Sequence, residues 1–291
     1  MCLGAYGVWG LMPLYWTLLR RVASIEILAH RVAWSLVVLL LTLSVTGKLR
    51  TFWNIPARKI AGLACAAVLI AINWGVYIWA VNHGRVVETA LGYFVNPLVT
   101  VMFGVVFFGE HLRRIQWAAI ALATVAVAVL TANYGRVPWV AAVLAASFAT
   151  YGLLKKKVGL GAVESLAIET SILGPVAVAY LVFREANRTA ASAHLSTTES
   201  VLLAFTGILT TVPLLCFAGA ANRVSFTTLG LMQYLSPSLQ FLLGIFVFGE
   251  AMPPARWAGF ALVWCALALF ALDLTCGRRR AAASLPAGAD R

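Results

Sequence analysis

Uninterrupted apolar stretches recur along the chain and restrict its possible folds more than any other feature. Ile115–Ala132, for example, contains no charged residue and is long enough for a helix to cross the roughly 30 Å hydrocarbon core of a bilayer. Lipid cannot satisfy free backbone polar groups, so only helices and closed barrels span it. Barrel strands alternate polar and apolar residues over about ten positions, and these stretches do not. The sequence therefore predicts an all-α integral membrane protein.

The composition excludes a soluble protein of this length. Hydrophobic residues make up 62% of the 291 residues and charged residues 11%, whereas soluble proteins average about 45–50% and about 25%. The net charge of +12 is concentrated in short basic clusters at the ends of the apolar stretches. This pattern is typical of topology signals, so no nucleic-acid partner is expected. The five cysteines lack metal-ligand spacing and are interpreted as free thiols, and no cofactor is expected.

Ten segments bounded by charged or turn-rich breaks are predicted to cross the membrane. In chain order they are Cys2–Leu19, Ile27–Thr46, Ile60–Asn82, Thr89–Phe108, Ile115–Ala132, Pro138–Leu154, Ala162–Phe183, Ser200–Ala220, Thr227–Phe248 and Ala255–Thr275. The first has a non-basic start and is interpreted as a span, not as a signal peptide. Residues 276–291 are polar and rich in small residues, which predicts a disordered cytoplasmic tail.

The distribution of basic residues predicts the orientation of these spans. The second, fourth, sixth and eighth connections and the tail carry 14 of the 22 Lys and Arg residues, whereas the odd-numbered connections carry 7. The richer side includes Lys155–Lys157 and Arg278–Arg280. Because positively charged connections stay in the cytoplasm, both termini are predicted to be cytoplasmic, in the cytoplasmic (inner) membrane.

The chain also repeats itself at an offset of 140 residues. The aligned pairs include Pro97 with Pro237, Gly104 with Gly244, Phe108–Glu110 with Phe248–Glu250 and Trp117 with Trp257. Shared helix composition explains matched Leu and Ala, but not these pairs. The repeat divides the chain into halves of five spans, 1–132 and 138–275. Because five is odd, the second half enters the membrane from the opposite side, which predicts two inverted five-helix repeats suited to alternating access.

Several strings in the chain are similar to those of a known family. They lie at Leu3–Tyr15, Glu26–Ser35, Asn73–His83, Leu91–Leu98 and Leu229–Leu242. Together with the Gly-Glu pair that closes the fourth helix of each half, they resemble the EamA-type drug/metabolite transporter superfamily, and within it the RarD subgroup. The resemblance implies a cytoplasmic-membrane transporter with a central cavity lined by both halves. It also implies export, and a phenotype related to chloramphenicol.

Two polar stripes are the first candidates for substrate binding. They are Tyr93, Asn96 and Thr100 on the fourth span and Gln233, Ser236 and Gln240 on the ninth. The i, i+3, i+7 spacing puts each set on one helical face, and the repeat makes the two faces counterparts. Polar groups are costly in hydrocarbon, so these stripes are predicted to line a cavity. Hydrogen bonding between helices, with no ligand, is the alternative.

Pro97 and Pro237 fall inside the same two spans and are predicted to act as hinges. Proline removes a backbone hydrogen bond and bends a helix. Interrupted helices at matching points of two halves indicate a transporter site. A static kink that improves packing is the alternative.

Four further residues are predicted to form walls of the cavity. Asn73 and Tyr77 lie one turn apart on the third span and would suit a flat, partly polar organic solute. Trp9 and Tyr151 lie on the first helix of each half, where plain packing is the alternative.

Three ionisable residues inside spans are candidates for substrate binding or coupling. His30 and Arg31 lie near the start of the second span, and Glu169 lies near their counterpart in the seventh. An intramembrane charge indicates function by default, so Arg31 is predicted to pair with Glu169 or with a substrate carboxylate. Snorkelling of Arg31 to the interface is the alternative. If transport is coupled to protons, Glu169 or His30 is the expected carrier.

The sequence favours transport over catalysis. It contains no HExxH, CxxC, GxSxG or Walker motif, so no enzyme and no ATP site are predicted. Gly249 and Glu250, like Gly109 and Glu110, are predicted to end helices, with Gly in a left-handed cap and Glu facing the membrane interface, and to touch no substrate. The expected function is secondary transport of small amphipathic organic molecules by a monomer or homodimer in the lipid bilayer. An uncoupled facilitator or a membrane scaffold is the alternative.

Overall fold

The computed structural model describes residues 2–47, 56–108, 112–134, 137–187, 196–221 and 234–283, which are helical throughout apart from short connections. The helices are α1 Cys2–Leu18, α2 Ser24–Val45, α3 Ala57–Asn82, α4 Val86–Phe108, α5 Arg114–Tyr134, α6 Trp139–Val158, α7 Ala162–Ala186, α8 Thr197–Ala221, α9 Leu235–Leu242 and α10 Pro254–Ala283. A π-helical turn, Leu243–Val247, continues α9. Within these ranges, seven helices are long and apolar enough to cross a membrane, namely α2, α3, α4, α5, α7, α8 and α10. The chain is therefore an all-α, multi-pass membrane protein.

Several helices begin before the apolar segment that predicted them. α4 begins at Val86 and α8 at Thr197, each three residues ahead of the predicted span. Glu88 and Glu199 lie in these first turns. A carboxylate interacts favourably with the positive end of the helix dipole there, although its charge ends an apolar segment when spans are predicted from hydropathy.

The C-terminal end differs from the sequence expectation. Helix α10 continues to Ala283, so the first part of the predicted disordered tail is helical. Ala and Arg are strong helix formers, and a prediction based on polarity does not take this into account. Residues 284–291 lie outside the described structure. So do residues 222–233, which include Gln233 and the start of the predicted ninth span.

Carboxylates join helices at one end of the molecule. Glu250, in the connection from α9 to α10, accepts hydrogen bonds from the backbone N–H groups of Val86 and Val87 at the start of α4. Glu88 accepts one from the N–H of Val140 at the start of α6, at 3.0 Å. We call these five residues the capped end. Helices α4 and α6 both start there, so they run in the same direction.

A second polar contact closes the other end. Arg113, just before α5, lies 3.3 Å from Asp273 in the second half of α10, and Gln116 donates to the same carboxylate at 2.8 Å. The start of α5 therefore meets the second half of α10, and these two helices pack antiparallel along an apolar seam that includes Leu130 and Phe260.

A glycine allows a close helix contact in the interior. A Cβ atom on Gly207 of α8 would lie 2.5 Å from the backbone carbonyl carbon of Trp34 on α2. Small residues at such positions let helix backbones approach and gain dispersion energy, which drives helix association in lipid. The contact fixes α8 against α2 beside the buried polar residues described next.

Candidate functional site

A buried cation, Arg31 on α2, lies among aromatic residues from two other helices. The residue is 5% exposed, and its guanidinium carbon lies 4.0 Å from the ring centroid of Trp74 on α3 and 5.4 Å from that of Trp16 on α1. Its Nε donates a hydrogen bond to Thr210 Oγ1 on α8 at 2.9 Å. We call Trp16, Arg31, Trp74 and Thr210 the Arg31 cluster. Two π faces and one hydroxyl therefore hold this charge.

The Arg31 cluster is rich in unused hydrogen-bond donors. A guanidinium carries five N–H donors and no acceptor, and Arg31 uses only Nε toward the described residues. The indole N–H of Trp16 and the hydroxyl of Ser35, one turn along α2, are buried without a hydrogen-bond partner among the described residues. Leaving buried donors unpaired costs roughly 1–3 kcal/mol each. The arrangement favours a ligand that brings acceptors.

A polar network extends from this cluster along α3, α4 and α6. Tyr93 donates to Asn73 Oδ1 at 3.2 Å, and Asn73 Nδ2 donates to Ser147 Oγ at 3.0 Å. The Tyr77 ring meets that of Tyr93 edge to face at 5.8 Å, and its buried hydroxyl has no hydrogen-bond partner among the described residues. Both tyrosine rings pack in one apolar cluster with Trp16. The structure thus brings the predicted Asn73, Tyr77 and Tyr93 together.

In the two predicted polar stripes, on α4 and α9, neighbouring groups satisfy only part of the hydrogen-bonding capacity of the side chains. Gln240 is 2% exposed and donates to the carbonyl oxygen of Trp9 and to Ser236 Oγ, both at 3.3 Å. Its own Oε1 and the Oδ1 of Asn96 are buried without a hydrogen-bond partner in the described ranges. Thr100 is exposed and donates to the carbonyl oxygen of Asn96 within its own helix. Asn96 and Gln240 therefore keep free acceptors, one on each half of the chain.

The two prolines differ in their positions along the helices. Pro97 lies within α4, which continues unbroken from Val86 to Phe108. Pro237 is buried in the first turn of α9. Proline is tolerated in a first turn because the N–H it lacks would be unpaired there anyway. Hinge motion at either residue stays a prediction.

The predicted pair between Arg31 and Glu169 is wrong. Glu169 pairs with Lys155, whose Nζ lies 2.8 Å from Oε1. The reason lies in the helix directions. Glu26, near the start of α2, lies 3.4 Å from Arg184 near the end of α7. At 1.5 Å per residue, Arg31 is about 7 Å from this contact along α2, whereas Glu169 is about 22 Å from it along α7. The two residues therefore lie at different depths and do not meet.

Glu169 forms a second buried polar centre, at a different depth from the Arg31 cluster. The residue is fully buried, and besides Lys155 its carboxylate accepts hydrogen bonds from Tyr151 and Ser165, each at 3.0 Å. Tyr151, predicted to line the cavity, therefore donates its hydroxyl hydrogen bond to Glu169. His30, the other predicted proton carrier, is half-buried and forms no hydrogen bond with the described residues. Within the described ranges, no group of His, Cys, Asp or Glu could hold a metal ion.

The capped end contains an unusual carboxyl group outside the spans. Gly249 adopts φ +63°, which confirms the predicted left-handed helix end. Glu250 does not face the membrane interface as expected, because it receives the amides of α4. Burial raises the pKa of the Glu250 carboxyl to about 7 and outweighs those two hydrogen bonds and the charge of Arg256, which lower it. The nearby charge of Glu88 raises this pKa further.

Sequence reasoning missed Thr210, Lys155 and the capping role of Glu250. Thr206 and Thr210 stand one turn apart in an apolar span, a signal of the same kind as the stripes on α4 and α9. Lys155 belongs to a basic cluster that indicates topology, although its long side chain reaches back to Glu169. Nothing in the sequence near Glu250 indicates that its partner is the start of α4.

Comparisons with known proteins agree with this architecture. The sequence profile described as the EamA-like transporter family matches the chain twice, over residues 1–132 and 137–272. The chain is 50% identical to protein RarD of Streptomyces exfoliatus over 289 residues, covering 98% of this chain and 91% of that protein. It is 42% identical to protein RarD of Escherichia coli (strain K12) over 283 residues, covering 96% and 95%.

One solved crystal structure resembles the chain with a TM-score of 0.63. It covers 92% of this chain and 95% of the other, at 17% sequence identity. At that identity the likeness concerns the fold alone.

Proposed function

The chain belongs to the EamA-like transporter family and is a membrane transporter of the drug/metabolite type, and we propose that it exports small amphipathic organic molecules by alternating access. In this proposal ten spans form two inverted halves, 1–132 and 138–275, in the cytoplasmic membrane with both termini in the cytoplasm. The transported molecule binds between the halves. Transport draws on an ion or substrate gradient.

The contacts between helix ends support inverted halves. Tyr15, near the end of α1, donates to the carbonyl oxygen of Leu202, near the start of α8. If each helix crosses once, α1 ends where α8, α6 and α4 begin. The first helix of the second half then runs opposite to the first helix of the first half, as inversion requires. The separate family matches to 1–132 and 137–272 support the same division.

One observation carries the proposal of a shared binding site. The buried polar atoms without a hydrogen-bond partner among the described residues include the Tyr77 hydroxyl, Asn96 Oδ1 and Gln240 Oε1. They come from α3, α4 and α9, and so from both halves. Buried polar groups are nearly always paired in native proteins, so such a set favours a ligand or water that completes it.

The charge distribution supports an outer location of the capped end. The Lys- and Arg-rich connections precede α3, α5 and α7, and the capped end lies at the other ends of these helices. The capped end would then close the outer entrance in this conformation. A coupling proton, carried by Glu169 or His30, completes the proposal.

A comparison of cells tests transport across all small molecules of the medium at once. Cells expressing the chain, its Asn96→Leu or Gln240→Leu variant, or an empty vector are compared by untargeted mass spectrometry of the medium, with chloramphenicol as one added probe. We expect some compounds to change between wild type and vector, and both variants to return these compounds to the vector level. Gln233→Leu should behave likewise.

Thr124→Val serves as the matched control for these variants. Its hydroxyl bonds to the carbonyl oxygen of Ile120 in its own helix, so the compounds should remain at the wild-type level. Membrane insertion of every variant is measured in parallel. Wild-type flux in both Asn96→Leu and Gln240→Leu would contradict the proposed site, and no difference between wild type and vector would contradict transport.

A further inference from the structure

We propose that the transported molecules are organic anions, and that the Arg31 cluster binds their carboxylate. This inference rests on the proposed transport function and names its substrate class. It goes beyond that function because the polar atoms on α4 and α9 would suit neutral solutes equally well.

The charge balance around Arg31 indicates an anionic ligand. Removing a cation from water is costly unless an opposite charge or hydrogen bonds compensate. Arg31 is 5% exposed and has no carboxylate partner among the described residues. The two tryptophan rings and Thr210 offset part of this cost through cation–π contacts and one hydrogen bond. The remaining positive charge favours an anion.

Five acidic residues of the described ranges are engaged with other groups and do not supply this anion: Glu26 with Arg184, Glu88 with the Val140 amide, Glu169 with Lys155, Glu250 with the α4 amides and Asp273 with Arg113. The fold therefore keeps one buried arginine apart from these acids. A charge retained inside a span without such a partner indicates a substrate or ion pathway.

The surroundings of Arg31 also contain more hydrogen-bond donors than acceptors. The free N–H groups of Arg31, the indole N–H of Trp16 and the Ser35 hydroxyl can all donate, and the described residues offer them no acceptor. A carboxylate provides two oxygens and about four acceptor sites, and it can accept a bidentate pair from a guanidinium. A cationic or purely apolar solute would leave every one of these donors unpaired.

The surroundings restrict the rest of the molecule. Trp16 and Trp74 flank Arg31, and Tyr77 and Tyr93 pack in the same apolar cluster as Trp16. Aromatic walls with few polar groups suit a planar or apolar body. The substrate class is therefore a small monoanionic organic acid with an aromatic or otherwise apolar body.

The test compares the chemical class of the compounds that the wild-type chain moves. Cells carry wild type, Arg31→Gln, Arg31→Lys, Arg21→Gln or vector, and untargeted mass spectrometry finds the compounds whose distribution differs between wild type and vector. We expect these compounds to carry a carboxylate or a similar anionic group at neutral pH. Arg31→Gln should lower their flux by at least about 30-fold, as loss of one partner of a buried charge pair typically does.

Two variants separate the effect of the site from a general loss of charge. Arg21→Gln removes a positive charge from an exposed position and should transport as wild type does. Arg31→Lys keeps the charge but loses the planar fork and much of the stacking, so we expect intermediate flux.

A measurement on the wild-type protein covers the case in which both Arg31 variants fail to fold. Each transported acid is compared with its methyl ester and its amide by thermal shift of the purified protein, in chloride and in sulfate buffer. The acid should stabilise the protein and the two neutral derivatives should not, in either buffer.

The outcomes separate failure of this inference from failure of the proposed function. Transported compounds that are neutral or cationic, with flux unchanged in Arg31→Gln, would overturn the inference and leave transport standing. Stabilisation that requires chloride and ignores esterification would assign the cluster to an inorganic anion, and would overturn it as well. If no compound distinguishes wild type from vector, the proposed function itself fails.

Discussion

The amides of Val86 and Val87 should lose their protection from hydrogen exchange when Glu250 is replaced by alanine. The first N–H groups of a helix have no partner inside it, and Glu250 is the acceptor for these two. A buried N–H left without an acceptor costs about 1–3 kcal/mol. Opening at the start of α4 should therefore become easier by that amount, which corresponds to exchange roughly 5–150-fold faster.

The protection should also depend on pH in the wild-type protein. Burial raises the pKa of Glu250 to about 7 from its ordinary value of 4.5, against the lowering effect of the two amides and Arg256 and with the raising effect of Glu88. Protonation of Glu250 therefore favours the conformation in which this residue accepts the two amides at the start of α4. This stabilisation is complete below about pH 4.5 and is lost as the pH rises through 7. Between pH 6 and pH 8 the opening free energy should fall by about 1 kcal/mol.

Hydrogen–deuterium exchange of the peptide that contains Val86 and Val87, corrected for the intrinsic effect of pH, measures both effects. In the Glu250→Gln variant, exchange of the Val86 and Val87 amides should show no residual pH dependence, because the titrating carboxyl group is absent. Glu88→Ala is the matched control, since it removes the acceptor of the Val140 amide and should deprotect the start of α6 instead. Unchanged protection of α4 in Glu250→Ala would refute the capping role, and identical pH dependence in Glu250→Gln would refute the titration.

Four further substitutions, one of them a control, test the packing and the second polar centre. Gly207→Ala should destabilise the purified protein by about 1–3 kcal/mol through the clash with Trp34, while Gly152→Ala, with no heavy atom within 4 Å of the added Cβ, should not change its melting temperature. Lys155→Met should cost about 3–5 kcal/mol by leaving the buried Glu169 unpaired, and adding Glu169→Gln should recover part of the loss in denaturation experiments. Glu169→Gln alone should remove any dependence of transport on a pH gradient, and unchanged coupling would eliminate this residue as the proton carrier.

Hydropathy is sufficient to predict the membrane class and the approximate helix positions. An apolar run of a given length has few alternatives in lipid, so α5 and the span predicted from Ile115 to Ala132 nearly coincide. Hydropathy misses the start of α4 at Val86, because Glu88 favours a helix N-terminus for an electrostatic reason that hydropathy does not measure.

Partners across helices are harder to predict than the helices themselves. The sequence indicates that Arg31 and Glu169 are special, because charges in spans are rare and costly. It does not indicate their depths, which depend on where α2 and α7 meet. The actual partners, Trp74 and Lys155, are types common elsewhere in the chain and become distinctive only through three-dimensional contact.

Accessibility of the proposed binding site from the two membrane faces is the most direct test of inverted halves around a shared compartment. Cysteines are placed at Asn96 and Gln240 in a background without the native cysteines, and a membrane-impermeant maleimide is added to right-side-out and to inside-out vesicles. We expect both positions to react from each side, because each half contributes one wall and the compartment opens alternately. Failure of both positions to react from either side would show a solid interior and contradict transport through this site.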